Sequence, residues 1–303
     1  MANEIPSHYK DMFKGHVEFM LSQKKSVLRG SVIEEPMTGK QMLMDDFGET
    51  ELEEKTTRFA PTPVGALDHF RRAIHSRTFD KAILTDWQDV IRVMSDPTNK
   101  YVQKVVAAMN RKIDDVIIGA FEGTAYTGET GVTPVAFDTS MIVDVQVRDT
   151  GVGAADLGLN SAKILAAKEL LDAEENDENE ERYMFVRARQ MTSLLKSEKT
   201  TSSDYAEIKA LVTGKINAWA GFKFIKCPDK KAKVDANGDD KVYYWTKSGI
   251  MLAMAKEPTT KIDERADLSY ATQVYGAIDG GATRMNEKKV GYIECDPTAG
   301  PGK

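Results

Sequence analysis

The sequence predicts an α+β fold, and three patterns along the chain predict it. Between residues 26 and 62 apolar side chains tend to recur at every second position, which is typical of extended strands. Between residues 97 and 121 they recur with a period of about 3.6 residues, which indicates one long amphipathic helix. Beyond residue 140, strand-like and helix-like segments alternate without a regular βαβ period or an internal repeat. A mixed α/β module therefore follows a ribbon and a long helix.

The composition is that of a protein with an ordinary apolar core. The chain has 303 residues, of which 41% are hydrophobic, enough for one large or two modest domains. No segment approaches the ~20 consecutive apolar residues of a membrane span, and the polar start lacks the order of a signal peptide. We therefore expect no membrane association and expect the protein to stay in the cytosol where it is made.

The charge and the cysteines argue against two further classes of protein. The net charge of -6 argues against direct gripping of nucleic acid, because neutralising phosphates requires a surplus of Lys and Arg on one face. Cys227 and Cys295 are the only cysteines, too few for a disulfide scaffold and without the paired spacing of a zinc site. We expect both to be buried, reduced thiols.

The first 65 residues are predicted to form an arm and a ribbon. In residues 1–25 the apolar positions have a helix-like spacing broken by Pro6 and Gly15, so we expect an N-terminal arm that packs on something else. Residues 26–65 are predicted to form an extended β-ribbon of about 17 residues a side, with a turn at residues 36–39. Because isolated two-stranded ribbons are marginal in water, this one requires a partner, which indicates assembly.

Helices are predicted next. Ala66, Phe70, Ala73 and Ile74 fall on one face of a first helix, and residues 87–93 form a second, short one.

The clearest predicted element is a long helix over residues 95–121. Asp96 is a good N-cap, Pro97 suits the first helical position, and Gly123 follows the end. The helix would be roughly 37 Å long, more than a compact domain of this size usually needs, so it is interpreted as a strut. Its apolar stripe is Val102, Val105, Val106, Met109, Ile113, Val116, Ile117 and Ala120.

The remaining chain is predicted to be mixed. A helix is expected at residues 160–173, and the acidic residues 174–181 are interpreted as a solvated turn. Strands are expected at residues 141–147 and 183–186, and strands and helices are expected to alternate through residues 250–255, 270–277 and 290–294.

Two glycine-containing segments resemble ligand loops. Residues 123–130 have the glycine spacing of a phosphate-binding loop, but Glu129 stands where a lysine must reach the phosphates, so we interpret the segment as a helix-terminating turn. Residues 235–240 begin like a calcium loop, but Thr246 stands where the bidentate Glu is required. Asn237-Gly238 between apolar runs predicts a type I′ hairpin turn instead.

No residue pattern supports catalysis or a cofactor. His8, His16, His69 and His75 form no metal-binding pair, and neither a nucleophile elbow nor a dinucleotide-binding fingerprint is present. We therefore predict no catalytic, cofactor-binding or metal-binding residues, and no enzyme.

Several stretches nevertheless resemble one known family. Residues 182–195 (RYMFVRARQMTSLL), 204–211 (DYAEIKAL) and 214–225 (GKINAWAGFKFI) are similar to its succession of strand, helix and glycine-bounded segment. Residues 275–277 (YGA) and 288–294 (KKVGYIE) are similar to its closing strands. With the order of elements, these stretches make nearly the whole chain resemble the major capsid proteins of tailed double-stranded DNA bacteriophages, which have the Hong Kong 97-like fold.

The resemblance implies a domain organisation. Residues 1–25 would be the N-terminal arm and residues 26–65 the extended loop that lies over a neighbouring subunit. Residues 66–149 would be the peripheral domain with the spine helix at 95–121. Residues 150–269 would be the axial domain, and residues 270–303 would hold the return strands and the C-terminal tail.

It also implies partners and a location. The subunits would assemble in the bacterial host cytoplasm into hexamers and pentamers, and the product would be the icosahedral capsid of a virion around double-stranded DNA, bound without sequence specificity. Because little chain precedes the ribbon, a separate scaffolding protein is expected, beside a portal, and a decoration protein is compatible with the family. Lys40 is a conceivable donor for a crosslink between subunits, but no acceptor can be assigned and no crosslink is predicted.

Two alternatives stay open at this point. An encapsulin-like nanocompartment protein would share the fold, and a neighbouring gene for a terminase or portal would distinguish a phage protein from it. A soluble α/β enzyme with an unrecognised site would form a small stable oligomer, whereas a shell protein would form megadalton particles.

Overall fold

The computed structural model describes residues 25–47, 54, 58, 69–86, 98–148, 151–153, 155–174, 176, 179–196 and 218–299. The helices are α1 (Thr98–Glu122), α2 (Ser161–Ala173) and α3 (Ala188–Lys196). The first nine strands are β1 (Ile33–Pro36), β2 (Gln41–Phe47), β3 (His69–His75), β4 (Arg77–Thr85), β5 (Ala125–Thr127), β6 (Thr133–Val135), β7 (Ile142–Val143), β8 (Val147–Arg148) and β9 (Gly151–Val152). The others are β10 (Arg182–Arg187), β11 (Ala218–Trp219), β12 (Phe222–Cys227), β13 (Asp240–Thr246), β14 (Ile250–Arg265), β15 (Ala271–Arg284) and β16 (Val290–Cys295).

The α+β fold class is confirmed, with four sheets among the described residues. The sheets have the strand orders β1-β14-β15-β4, β11-β12-β10-β13-β16-β7, β2-β3-β5-β6 and β8-β9. In the six-stranded sheet β10 runs parallel to β12 and antiparallel to β13, and β13 runs antiparallel to β16. Over the part of the chain described here, no helix is long and apolar enough to cross a membrane.

The predicted long helix is confirmed as α1, within a few residues of its predicted limits, while Asp96 and Pro97 lie outside the described residues. The helix ends at a close approach: the Gly123 N–H donates to the Gly119 carbonyl at 3.1 Å, and a Cβ on Gly123 would lie 2.5 Å from that oxygen. The buried residues of its predicted stripe include Val105, Met109, Ile113, Ile117 and Ala120.

The helix predicted at residues 160–173 is also confirmed. The Asn160 side chain accepts from the Lys163 N–H at 2.9 Å, as an N-cap does. Its apolar side packs into the main core of the six-stranded sheet. That core includes Ile164, Ala167, Leu171, Met184, Val186, Phe222, Val242, Tyr244 and Ile293.

The helix predicted from Ala66 to Ile74 is wrong where the structure describes it, because residues 69–75 form strand β3. Ala73 and Ile74 are neighbours that are both about 1% exposed, a pattern that imitated a helix face. Their side chains are buried on opposite sides of the sheet. Ile74 packs in a methionine-rich cluster on one side. Ala73 faces the β5–β6 loop on the other side, where a Cβ on Gly131 would lie 2.5 Å from the Ala73 Cβ. The short helix predicted at residues 87–93 lies outside the described residues.

Of the strands predicted between residues 26 and 62, β1 and β2 are present, whereas residues 29–31 form a 3-10 turn and most of residues 48–62 lie outside the described residues. The partners of β1 and β2 were not predictable. β1 runs parallel to β14, with Ile33 opposite Met251. β2 runs antiparallel to β3, from the pair Gln41 and His75 to the pair Phe47 and His69. The two strands on either side of the predicted turn at residues 36–39 thus belong to different sheets.

Two predictions about local geometry are corrected. The strand predicted at residues 141–147 is interrupted because the Asp144 carboxylate accepts from the Gln146 N–H at 2.7 Å and turns the chain. The hairpin turn at Asn237-Gly238 exists, but it is not type I′. The Gly238 N–H donates to the Asp235 carbonyl at 3.0 Å, and of the central pair only Gly238 has a positive φ, 92°. This is the three-residue loop with a glycine bulge.

The described chain divides into two compact units. The smaller takes the described parts of residues 1–26, 78–112 and 256–278, and the larger takes those of residues 27–77, 113–255 and 279–303. In the smaller unit α1 packs closely on β15, since a Cβ on Gly276 would lie 2.3 Å from the Val105 Cγ1. Residues 250–255 and 271–277, where strands and helices were predicted to alternate, are strands throughout and lie within the longer β14 and β15.

Candidate assembly surfaces

The base of the β2/β3 ribbon carries exposed apolar residues on both faces. Leu43 is 40% exposed on one face, and Phe70, opposite Asp46 on the other face, is 56% exposed. Within the described residues β2 is an edge strand of its sheet, so one side of its backbone is free to pair. An exposed apolar ribbon with an open edge can bind another chain without rearranging the core.

The β5/β6 hairpin extends the sheet beside β3, and its loop, residues 128–132, lies over one face of the ribbon. The Gln41 side chain donates to the Thr130 carbonyl at 3.1 Å, and the Arg71 Nη1 donates to the Glu129 carbonyl at 3.2 Å. Val132, in the loop of the hairpin, is 66% exposed. Residues 123–130 thus end α1 and enter this hairpin, which confirms the prediction of a helix-terminating turn.

The distal part of β14 and β15 forms a second exposed ribbon, in the smaller unit. Residues 263–270 are all exposed, and they include Leu268 and Tyr270. Ser269 and Tyr270 close the turn with positive φ values of 51° and 57°, which non-glycine residues rarely adopt. Arg265 pairs with Asp267 at 2.5 Å and donates to Gln273. The sequence predicted alternating strands and helices in this region and did not predict this ribbon.

A buried carboxylate fixes the start of α3 to the six-stranded sheet. Asp240 is 0% exposed and accepts from Arg187 at 2.5 Å, from Arg189 at 2.7 Å and from Gln190 at 3.2 Å. Arg187 also reaches the exposed Asp229 at 2.9 Å. The sequence reading missed this network, because nothing local marks one aspartate in the run 235–240 as the buried one.

A second buried carboxylate, that of Asp114 in α1, connects this helix to two other segments of the larger unit. Asp114 accepts from the backbone N–H groups of Val27 and Leu28 at 3.1 and 3.2 Å, and pairs with Lys231 at 3.0 Å. The start of the described chain and the β12–β13 connection are therefore joined to the same helix.

Acidic residues cluster where β13 begins and β16 ends, two inner strands of the six-stranded sheet. Burial and the nearby carboxylates of Asp156, Asp296 and Asp235 raise the pKa of Asp239. Burial also raises the pKa of Glu294, with further contributions from neighbouring aspartates. Within the described residues no group of three His, Cys, Asp or Glu side chains has the geometry to hold a metal ion.

Of the histidines considered from the sequence, His75 lies at the end of β3 with its ring 5.1 Å from that of Tyr126, edge to face. His69 begins β3, and His8 and His16 lie outside the described residues. Lys40 lies exposed before β2, and its carbonyl accepts from the Ser76 N–H at 3.0 Å. The positions of the described ones, His69, His75 and Lys40, do not suggest catalysis, and the predicted absence of a catalytic site stays a prediction.

Both cysteines are buried, free thiols, as predicted. Burial is the largest cause that raises the pKa of Cys295, and likewise that of Cys227, from 9.0 to about 12.

Because the pKa of the buried Cys295 thiol is raised, we expect the folded protein to lose stability at alkaline pH. Above pH ~9 the unfolded chain releases the Cys295 proton while the folded chain keeps it, so stability falls as pH rises towards about 12. The quantity to compare is the difference in free energy of unfolding between the parent protein and Cys295→Ala. We expect the parent to lose about 1.4 kcal/mol relative to the variant between about pH 8 and about pH 10. Urea unfolding at both pH values checks this. A difference that does not change with pH would contradict it.

Comparisons with known proteins bear on these surfaces. The sequence model of the family described as phage capsid protein matches residues 5–297. No curated protein matches the chain. Among solved structures, the fold is similar to the capsid of cyanophage P-SCSP1u, at 15% identity and a TM-score of 0.65, covering 97% of this chain and 99% of that one.

Two further solved structures are similar over most of their length. The capsid asymmetric unit of cyanophage Pam1 has 13% identity and a TM-score of 0.66, covering 91% of this chain and 94% of that one. The capsid of Ralstonia phage GP4 has 12% identity and a TM-score of 0.65, covering 94% and 96%.

Proposed function

Because this chain belongs to the phage capsid protein family, we propose that its subunits assemble as hexamers and pentamers into an icosahedral shell around double-stranded DNA. The protein is a structural component of the virion capsid, where it associates with other copies of itself. The observation that carries the proposal is the family match over residues 5–297, which spans both ribbons and both compact units.

The extended loop is proposed to dock on a neighbouring subunit. The ribbon base supports this, since Leu43 and Phe70 are exposed and the β2 edge is open among the described residues. Each subunit would repeat this heterologous contact around a closed ring. The loop proposed from the sequence, residues 26–65, has its return strand β3 at residues 69–75, so the contact surface includes that strand.

The other assignments made from the sequence stand as proposals. The arm is residues 1–25, the peripheral domain 66–149, the axial domain 150–269, and the return strands with the tail 270–303. A separate scaffolding protein, a portal and, where present, a decoration protein would complete the assembly in the host cytoplasm. The DNA would be held without sequence-specific contacts, which the net charge of -6 supports.

Electron microscopy of the purified protein tests the proposal, alone and together with the candidate scaffolding protein from the neighbouring gene. Closed shells or hexameric capsomers are expected under at least one condition. A uniform small oligomer under both conditions would contradict the proposed assembly.

Replacing Phe70 should prevent assembly and leave the subunit folded. Phe70→Lys keeps the backbone pairing of β3 with β2 but removes about 1.5–3 kcal/mol of apolar burial per docked loop. We expect shells to disappear in light scattering and microscopy while the unfolding temperature of the subunit stays within about 2 °C. Phe70→Tyr is the matched control and should assemble. Normal shells from Phe70→Lys would exclude this residue from the docking surface.

A further inference from the structure

Three charged side chains in the larger unit connect strand β3 to the C-terminal end of α1. Arg72 of β3 pairs with Glu287 at 3.2 Å between Nη2 and Oε1. The other carboxylate oxygen, Oε2, accepts from the Arg284 Nε at 2.7 Å. Glu287 therefore lies between the two arginines and forms an ion pair with each of them.

The inner arginine caps the helix. Arg284 is 0% exposed, and its Nη1 donates to the carbonyls of Ala120, Phe121 and Gly123 at 3.1, 2.9 and 2.6 Å. The last carbonyls of a helix lack partners within the helix and carry its negative dipole end. The buried guanidinium of Arg284 donates hydrogen bonds to these carbonyls, and its positive charge stabilises the negative end of the helix dipole. The structure of the end of α1 therefore depends on the position of Arg284.

The outer arginine belongs to the ribbon. Arg72 lies in the middle of β3, opposite Met44 of β2, and its Nε donates to the Met285 carbonyl at 2.9 Å. The side chains of Arg72 and Glu287 are 13% and 15% exposed. Screening by water is weak at such sites, so the two ion pairs resist separation.

The carboxylate between them is held in place by its backbone. Glu287 begins a short 3-10 turn, Glu287–Lys289, and the Asn286 side chain accepts from the Lys288 N–H at 2.9 Å to close its start. A shift of the ribbon base must then either break a buried ion pair, which is costly, or move Arg284 with it.

We propose that Glu287 is a positioning residue that transmits displacement of the ribbon base to the C-terminal end of α1. When the ribbon docks on a second copy of the chain, the helix end is held in one arrangement. A free ribbon leaves the helix end with more freedom. The connection is a property of the subunit, so its failure would leave the proposed shell assembly standing.

Amide hydrogen exchange of the full-length, unassembled protein tests this with three variants: Arg72→Gln, Glu287→Gln and the double substitution. We expect Arg72→Gln to speed exchange about tenfold in two segments, residues 69–75 and the last turn of α1. In the Glu287→Gln background, the same Arg72 substitution should leave exchange at the helix end unchanged. That non-additivity would not arise from two independent structural roles.

A matched control removes a different ion pair, which lies on the opposite face of the β2/β3 ribbon from Arg72. Asp45→Asn breaks the pair with Arg71 and should speed exchange in β2 and β3 alone. The proposal is overturned if Arg72→Gln leaves the helix end unchanged, if its effect there persists without Glu287, or if Asp45→Asn has the same effect there. Should Glu287→Gln fail to fold, Glu287→Asp, which shortens the bridge and keeps its charge, takes its place in the cycle.

Discussion

Replacing Asp240 by asparagine is expected to lower the free energy of unfolding by about 3–5 kcal/mol. The carboxylate is 0% exposed and holds Arg187, Arg189 and Gln190 at the junction of β10 and α3. Removing its charge leaves the guanidinium of Arg187, which is only 13% exposed, without its buried partner. Urea unfolding followed by circular dichroism measures the loss.

Asp229 provides the matched control for that substitution. It pairs with the same Arg187 at 2.9 Å, but its side chain is 78% exposed. Asp229→Asn should cost less than about 1 kcal/mol, as exposed ion pairs do. Equal losses for the two variants would mean that burial does not distinguish these carboxylates, and the role given to Asp240 would be wrong.

The second large effect is expected at Trp245, which lies at 0% exposure at the end of β13. Its ring lies 4.8 Å from that of Phe121 and 5.8 Å from that of Tyr183, and its Nε1–H donates to the Ser31 carbonyl at 2.9 Å. Trp245→Ala should lower the free energy of unfolding by about 3–5 kcal/mol, because the cavity cannot be filled by its neighbours. Thermal and urea unfolding measure it.

A conservative variant separates the ring from its hydrogen bond. Trp245→Phe keeps most of the apolar contact but leaves the Ser31 carbonyl without this donor, so a loss of about 1–3 kcal/mol is expected. A loss below about 1 kcal/mol for Trp245→Ala would show that the site collapses freely, contrary to the close packing of the three rings.

The sequence could predict elements whose signal is local. The stripe in α1 and the Asn160 cap of α2 depend on residues three or four positions apart, so the chain itself carries the information. Its resemblance to the capsid family also gave the fold and the general function, which the family match now supports. Local patterns failed at β3, where burial of Ala73 and Ile74 from two sides imitated a helix.

By itself, then, the sequence determined the fold class, the long helix, the two buried thiols and membership of a capsid-like family. Only the tertiary structure decided that β1 pairs with β14, that Asp240 and Arg284 are among the buried charged residues, and that Glu287 connects a ribbon to a helix end. Burial and charge pairing depend on residues as many as 215 positions apart, as Arg72 and Glu287 are, and no periodicity along the chain records such contacts.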